Sequence, residues 1–300
     1  MAWWRRKKPL RWTIVTAAPK GEAGQLWGDT HFAHDLADAL TSLDQLVRVV
    51  PRSGAHAPAR AQDDVVVVLR GLTRVTPVPG NASWLLWVIS HPELIEPGEI
   101  EEFDLTFAAS ATWQRGRVIP LLQATNPSRF YPDAHVHPSG VLFVGNTRGE
   151  FRPVVRDAIE AGIPVEVYGH GWEEFIDSQH LRGESLSNSE LPHAYRTAAV
   201  VLNDHWADMA REGFLSNRLF DAVASGAAVV SDPAAGLSDV FGDCVSVYHS
   251  PEELRDALDR ALALSAAERL GCAERMAQEH SFLQRAQVMV DHVSSLRGVS

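Results

Sequence analysis

The segment EGFLSNRLFDAVASGAAVVSD (212–232) carries the residue types and spacing best suited to hold an anionic ligand. Ser216 has the chemistry of a helix N-cap, with Asn217 and Arg218 following in the first turn. Free backbone amides at such a turn, together with the positive end of the helix dipole, form a seat for phosphate. Asp221 stands five residues on, about 7.5 Å along a helix axis, which sets a carboxylate one ribose-length from that seat. Arg218 can neutralise a diphosphate in a bidentate way. The same spacing also describes an ordinary capped helix with Asp221 on its solvent face.

What the chain lacks narrows the chemistry. Its three lysines, Lys7, Lys8 and Lys20, all precede residue 21, so the body has none for a Schiff base or a Walker-type phosphate loop. GxGxxG, HExxH and GxSxG are absent, and no two aspartates are separated by one residue in an Asp-x-Asp metal motif. The two cysteines, Cys244 and Cys272, have no CxxC spacing, which excludes a cysteine-rich zinc site, gives no disulfide framework and favours a cytoplasmic location. A net charge of −11 argues against a nucleic-acid polymer as partner.

Short apolar, β-branched runs bounded by turn residues mark the strands that position these groups. In the first half they fall at 11–17, 46–50, 64–70, 83–90, 105–110 and 118–123, with an amphipathic helix after the first. Runs as continuous as VVVVL imply burial on both faces, and so a parallel sheet covered by helices. A proline- and histidine-rich stretch, 126–140, reads as a linker. The pattern then restarts with strands at 141–146, 164–169, 199–203, 227–232 and 245–248. A closing helix carries an apolar stripe through Phe282, Val288 and Val293. The fold class is therefore α/β, two Rossmann-like doubly wound domains facing a central cleft. Their bounds are a basic, aromatic tail (1–10), an N-terminal domain (11–130), a C-terminal domain (131–280) and the closing helix (281–300), which packs back on the N-terminal domain. In such sheets ligands bind beyond the carboxyl ends of the strands. Tryptophan and arginine in the tail suit peripheral contact with an anionic membrane surface.

The 212–232 segment resembles the donor-binding motif of group 1 GT-B glycosyltransferases, and is most similar to their spore-maturation-type branch. An acidic residue, a glycine-containing turn and a second acid precede a small-residue run and G-x-x-V-V; here these are Glu212, Gly213, Phe214, Leu215, Ser216, Asp221 and AVASGAAVVSD. The second acid is Asp where that family has Glu, and it lies nine residues from Glu212 rather than eight. VLFVGNTRGEFRP, VEVYGHGW, LWGDTHFAHDLADAL and LLWVISHPE extend the resemblance over nearly the whole chain.

The resemblance implies an enzyme of the hexosyltransferase type, transferring a sugar from a nucleoside diphosphate-sugar donor to a hydroxyl-bearing acceptor without cofactor or metal. Gly145, Asn146 and Arg148 would meet the diphosphate. Gly169, His170, Gly171 and Trp172, with Tyr195 on the next helix, would wall the base pocket. Asn203 would reach sugar or phosphate from a strand end. On the acceptor side, Asp29 or His31, after Gly28, would take the acceptor proton, although both are also common capping residues. His91, ending an apolar strand, would touch the donor sugar. A nucleotide-sugar 2-epimerase and a non-catalytic interaction protein of the same fold are the competing readings.

Overall fold

The computed structural model describes residues 8–25, 27–57 and 62–298. Residues 1–7, which carry most of the expected membrane-surface contact, lie outside that set. The chain forms two compact units. One comprises Met1–Ala109, Gln114–Leu121 and Phe282–Ser300; the other comprises Ser110–Trp113 and Leu122–Ser281.

The first unit is built on β1 (Arg11–Val15), α1 (Glu22–Gln25), α2 (Gly28–Ser42), β2 (Leu46–Val50), β3 (Val65–Arg70), β4 (Ser83–Val88), β5 (Leu105–Ala108) and β6 (Val118–Pro120). All pairings are parallel, in the order β2-β1-β3-β4-β5-β6. β3 and β4 are buried along their whole length, as runs of valine, leucine and tryptophan require once both faces are covered. Gly28, Asp29, Thr30 and His31 form the first turn of α2, whose N-cap is Trp27.

The second unit contains β7 (Ser139–Val144), α3 (Pro153–Glu160), β8 (Val165–Tyr168), β9 (Leu181–Gly183), α4 (Leu191–Thr197), β10 (Ala198–Asn203), α5 (Ala207–Glu212) and α6 (Asn217–Ala224). It continues through β11 (Ala228–Ser231), α7 (Leu237–Phe241), β12 (Ser246–Val247), α8 (Leu254–Ala263) and α9 (Ala266–Glu279). Its parallel sheet runs β12-β11-β10-β7-β8-β9. Two cores form on its two faces, one around Phe220, Phe241 and Met276, the other around Phe143, Trp172 and Val230. α10 (Phe282–Leu296) returns to the first unit and packs on α2, with Phe282 edge-on to Phe32 at 4.7 Å. Its buried stripe is Phe282, Ala286, Met289 and Val293; Val288 is only half-buried, one residue off the stripe the sequence suggests.

Cys244 and Cys272 are bonded to each other. They are 28 residues apart in sequence, so their small number misled: the pair is a staple, and the count no longer speaks for a reducing compartment. Among the described residues no helix is long and apolar enough to cross a membrane. Closing a loop of this length removes about 3–4 kcal/mol of unfolded-chain entropy. Reduction, or Cys272→Ser, should therefore lower the urea midpoint of the second unit by a corresponding amount. An unchanged midpoint would show that the bridge contributes no stability.

Candidate anion-binding site

The order of the second sheet reverses between β7 and β10, and the loops leaving these two strands carry most of the candidate side chains. Such a switch point is where an open parallel sheet leaves room for a ligand. The loop after β7 supplies Gly145, Asn146, Thr147 and Arg148, then Arg152 at the N-cap of α3. β10 ends in Asn203, followed by Asp204, His205 and Trp206. α6 adds Arg218.

Three guanidinium groups gather here. Arg152 is 2% exposed, forms a bidentate ion pair with Asp204, and donates from Nη1 to the Asn146 carbonyl at 3.1 Å. Arg218 donates to Asn203 Oδ1 at 2.7 Å and to the Val144 carbonyl at 2.6 Å, beside the Tyr195 hydroxyl. The ring of Phe143 lies under both, 4.5 Å from the Arg152 carbon and 4.9 Å from that of Arg218. Arg148 stacks on the Trp206 ring at 4.2 Å and donates to the His205 carbonyl at 3.1 Å. Its backbone sits at φ 67°, a left-handed conformation that costs an arginine on the order of 1–2 kcal/mol.

Burial lowers all three pKa values, and neighbouring guanidinium charge adds to it at Arg148 and Arg152. Burial first, and the Arg218 charge second, push Arg148 down to about 10. Arg152 is lowered by burial and then by Arg218 and Arg148. Arg218 is lowered by burial. All three still carry charge near neutrality. Against them stand Asp204, in contact, and Asp232, with Glu150 and Asp208 acting at longer range. Among the described residues Arg148 makes one hydrogen bond, to the His205 carbonyl, and a looser ion pair through Nη2 to Asp204 at 3.8 Å.

Backbone bareness makes the crowding possible. A Cβ on Gly145 would stand 2.8 Å from Arg152 Nη1 and 2.9 Å from Arg218 Nη2, and one on Gly169 only 2.1 Å from the Gly145 carbonyl oxygen. Trp172 holds that same carbonyl through Nε1 at 2.8 Å.

Several residues expected to touch a ligand instead hold the frame. Trp172 and Tyr195 are interior, 0% and 3% exposed, and so not walls of an open pocket. Phe214 and Leu215 are likewise buried, and Gly213 takes φ 73° at the end of α5. Asn203 spends its oxygen on Arg218 and its amide on Ser231 Oγ. Ser216 is the N-cap of α6, but its side chain makes no capping bond, and its N–H donates to His205 Nε2 at 3.1 Å. Asp221, expected on a solvent-facing or ribose-facing side, is 7% exposed. Its oxygens accept from Thr125 Oγ1 and Asn217 Nδ2, each at 2.8 Å. The amide of Asn217 is thereby fixed, which leaves its buried Oδ1 without a partner among the described residues. The N–H groups of Asn217 and Arg218 meet no acceptor among the described residues. His170 is exposed; its N–H donates to Asn146 Oδ1, and its ring lies 3.9 Å from Glu184. The sequence places Asp204, His205 and Trp206, with Asn203, at a strand end whose polar groups reach sugar or phosphate; Arg152 and Asp232 are not singled out by it.

In the first unit the sheet order reverses between β1 and β3. Just past β3, a Cβ on Gly71 would lie 3.3 Å from both Asp29 Oδ2 and Ser90 Oγ. Neither of these side chains has a hydrogen-bond partner among the described residues. Burial pushes Asp29 up to about 6. His31 is turned to the Gln25 carbonyl at 3.0 Å. His91 adopts φ 52° and ψ 58° before Pro92. Its loop is held by the buried Arg70–Glu99 ion pair and by Arg70 donating to the Leu94 carbonyl at 2.6 Å.

Among the described residues no three His, Cys, Asp or Glu side chains are grouped to hold a metal. Residues 148–291 match the family model described as "Glycosyl transferase-like". No curated protein matches the chain. Of solved structures, AviGT4, a glycosyltransferase involved in avilamycin A biosynthesis, is similar at 17% identity and a TM-score of 0.67, over 97% of this chain and 99% of that one. Sucrose-phosphate synthase from Thermosynechococcus elongatus is similar at 14% identity and a TM-score of 0.68, over 97% and 100%. The T4 phage BGT, solved with UDP and Mn2+, is similar at 9% identity and a TM-score of 0.61, over 96% and 99%. Two six-stranded parallel sheets covered by helices, matched along nearly the whole chain, are the fold of the GT-B glycosyltransferases.

Proposed function

We propose that the chain is a glycosyltransferase whose second unit binds a nucleoside diphosphate-sugar through Arg148, Arg152 and Arg218, and whose first unit binds a hydroxyl-bearing acceptor at Asp29. One observation carries the reading: three guanidinium groups converge on the switch point of the second sheet beside the unbonded amides of Asn217 and Arg218, against a single contacting carboxylate, Asp204. The partial match to glycosyltransferase sequences and the fold agree with it.

In the reaction the bond between the anomeric carbon and the diphosphate breaks, and the acceptor oxygen forms the new bond. Negative charge grows on the leaving diphosphate, where fixed cations in a poorly solvated site stabilise it most. Arg148, with its spare donors, contacts the phosphates, and Arg152 and Arg218, held in place by Asp204 and Asn203, add fixed positive charge to the same seat. Asn217 Oδ1 accepts from a ribose hydroxyl, so that Asp221 acts through Asn217. Ionised Asp29 accepts the acceptor's proton, with Ser90 Oγ orienting the same hydroxyl. No metal takes part.

Arg148→Gln should weaken binding of the preferred nucleoside diphosphate by tenfold or more, in a calorimetric panel of UDP, GDP, ADP and dTDP, with little loss of stability. If no member of the panel binds wild-type protein, the donor assignment fails. Asp204→Asn is expected to act differently, lowering stability by about 3–5 kcal/mol because it leaves Arg152 buried without its counter-charge. A chelator should leave nucleotide binding and donor hydrolysis intact; loss of either would restore a metal to the mechanism.

Asp29 yields a test of opposite sign for stability and activity. Its folded-state pKa, about 6, lies above the ordinary value of 3.8, so the fold favours the neutral acid. Stability is then full below pH 4, declines as pH rises towards 6, and stays reduced above it. Asp29→Asn should accordingly raise the melting temperature at pH 8 and leave it unchanged at pH 4. It should also abolish transfer while sparing nucleotide affinity, and wild-type turnover should climb through pH 6. Full transfer by this variant would remove Asp29 from catalysis.

A further inference from the structure

Two chains of hydrogen bonds leave the first turn of α6 and meet on one carboxylate. In one, Arg218 Nη1 donates to Asn203 Oδ1, Asn203 Nδ2 donates to Ser231 Oγ at 2.9 Å, and Ser231 Oγ donates to Asp232 Oδ1 at 3.1 Å. In the other, the Ser216 N–H donates to His205 Nε2 at 3.1 Å, and His205 Nδ1 donates to Asp232 Oδ1 at 2.6 Å. The ring closes across β10, β11 and α6. The His205 side chain is fully buried, and its own N–H also binds Asp232, through Oδ2, at 2.9 Å.

The donor and acceptor roles around this ring admit one protonation state. A backbone N–H can only donate, so His205 Nε2 must accept and bear no proton. Nδ1 then carries the proton and faces a carboxylate, which can only accept. The imidazole is neutral, in its Nδ1–H tautomer. Meanwhile the carbonyl of the same residue takes the Arg148 guanidinium. One buried side chain thus fixes where α6 begins, and its backbone fixes a second arm of the arginine cluster.

We infer that His205 is a positioning residue of the anion site, which sets the first turn of α6 by accepting the Ser216 N–H and so aims Arg218 and the free N–H groups of Asn217 and Arg218 at the ligand. This rests on the reading of the cluster as a phosphate site. It assigns His205 no contact with substrate. The bond to Ser216 carries the effect, and the bond to Asp232 selects the tautomer that makes it possible.

Two substitutions separate these bonds, because a glutamine amide reaches the place of Nε2 and an asparagine amide that of Nδ1. His205→Gln keeps an acceptor for Ser216, whereas His205→Asn keeps only the donor to Asp232. With inorganic pyrophosphate as the probe, measured calorimetrically on the whole protein, His205→Asn should bind at least tenfold more weakly than wild type. His205→Gln should stay within about threefold. In an Arg218→Gln background the asparagine substitution should add little further loss, which a general weakening of the fold would not reproduce.

Equal binding by wild type and His205→Asn, or equal losses in both His205 variants, would overturn the inference and leave the site assignment standing. Failure of wild type to bind pyrophosphate would overturn both. Should the asparagine variant not fold, long-range proton–nitrogen spectra of wild-type protein decide the matter. Nδ1 of His205 must be the protonated nitrogen and Nε2 the bare one, and the reverse assignment refutes the inference.

Discussion

The second unit is organised around a like-charge problem: three guanidiniums share the end of one strand, where burial already penalises each of them. Arg152 tolerates this because Asp204 grips it from two sides. Arg218 tolerates it by threading between a backbone carbonyl, an amide oxygen and a phenol. Arg148 is left the least satisfied, and it alone pays in backbone strain. Other features of the unit follow from this packing. Gly145 is bare because two guanidinium ends occupy the space of a side chain, and Gly169 is bare because the Gly145 carbonyl does. Trp172 gives up an open position to pin that carbonyl from the core.

Such an arrangement is a poor way to gain stability. A buried ion pair barely recovers the cost of taking two charges out of water, and a hydrophobic pair of equal volume commonly does better. Repelling cations do worse still. What the arrangement supplies is order: Asp204, Asn203 and the His205 carbonyl each hold one guanidinium in a fixed place. Strain and self-repulsion are concentrated at one strand end, within an otherwise well-packed sheet, and that concentration is why the proposed donor site is assigned there.

Much of the architecture was legible because burial on both faces of a parallel strand leaves a plain trace. The runs 46–50 and 83–90 contain β2 and β4, and the strand starts agree to within two residues. Elements with weaker traces escaped. β9 has three residues at a sheet edge and only a half-buried pattern. α9 has a polar outer face, although the Ser265–Glu268 capping box announced its start. Within the site, residue types were legible and orientations were not. Asp221 and Asn217 stand one helical turn apart, a spacing that lets them bond each other as readily as a ligand. Trp172 follows a strand, Tyr195 sits in a short helix and Phe214 lies between two helices, yet an aromatic at such a place turns inward whenever a core lies beneath it. Arg152 escaped notice because an arginine before a proline reads as an ordinary helix entry; its partner, Asp204, lies 52 residues away.

Both sheets reverse their strand order once, and both reversals hold polar groups that the protein leaves without full partners, but of opposite electrostatic character. At β7 and β10 the surplus is cationic, with backbone N–H groups added to it. At β1 and β3 it is a carboxyl that burial holds near neutrality, beside a hydroxyl, both without a hydrogen-bond partner among the described residues. Group transfer from a phosphate ester needs these two environments: charge departs on phosphate oxygens, and a proton departs from the incoming hydroxyl. An acid of ordinary pKa would be ionised but too weak a base to help, whereas one raised towards neutrality accepts a proton more readily and can still be ionised when needed. The same desolvation that makes Asp29 costly to the fold is what would make it a competent base.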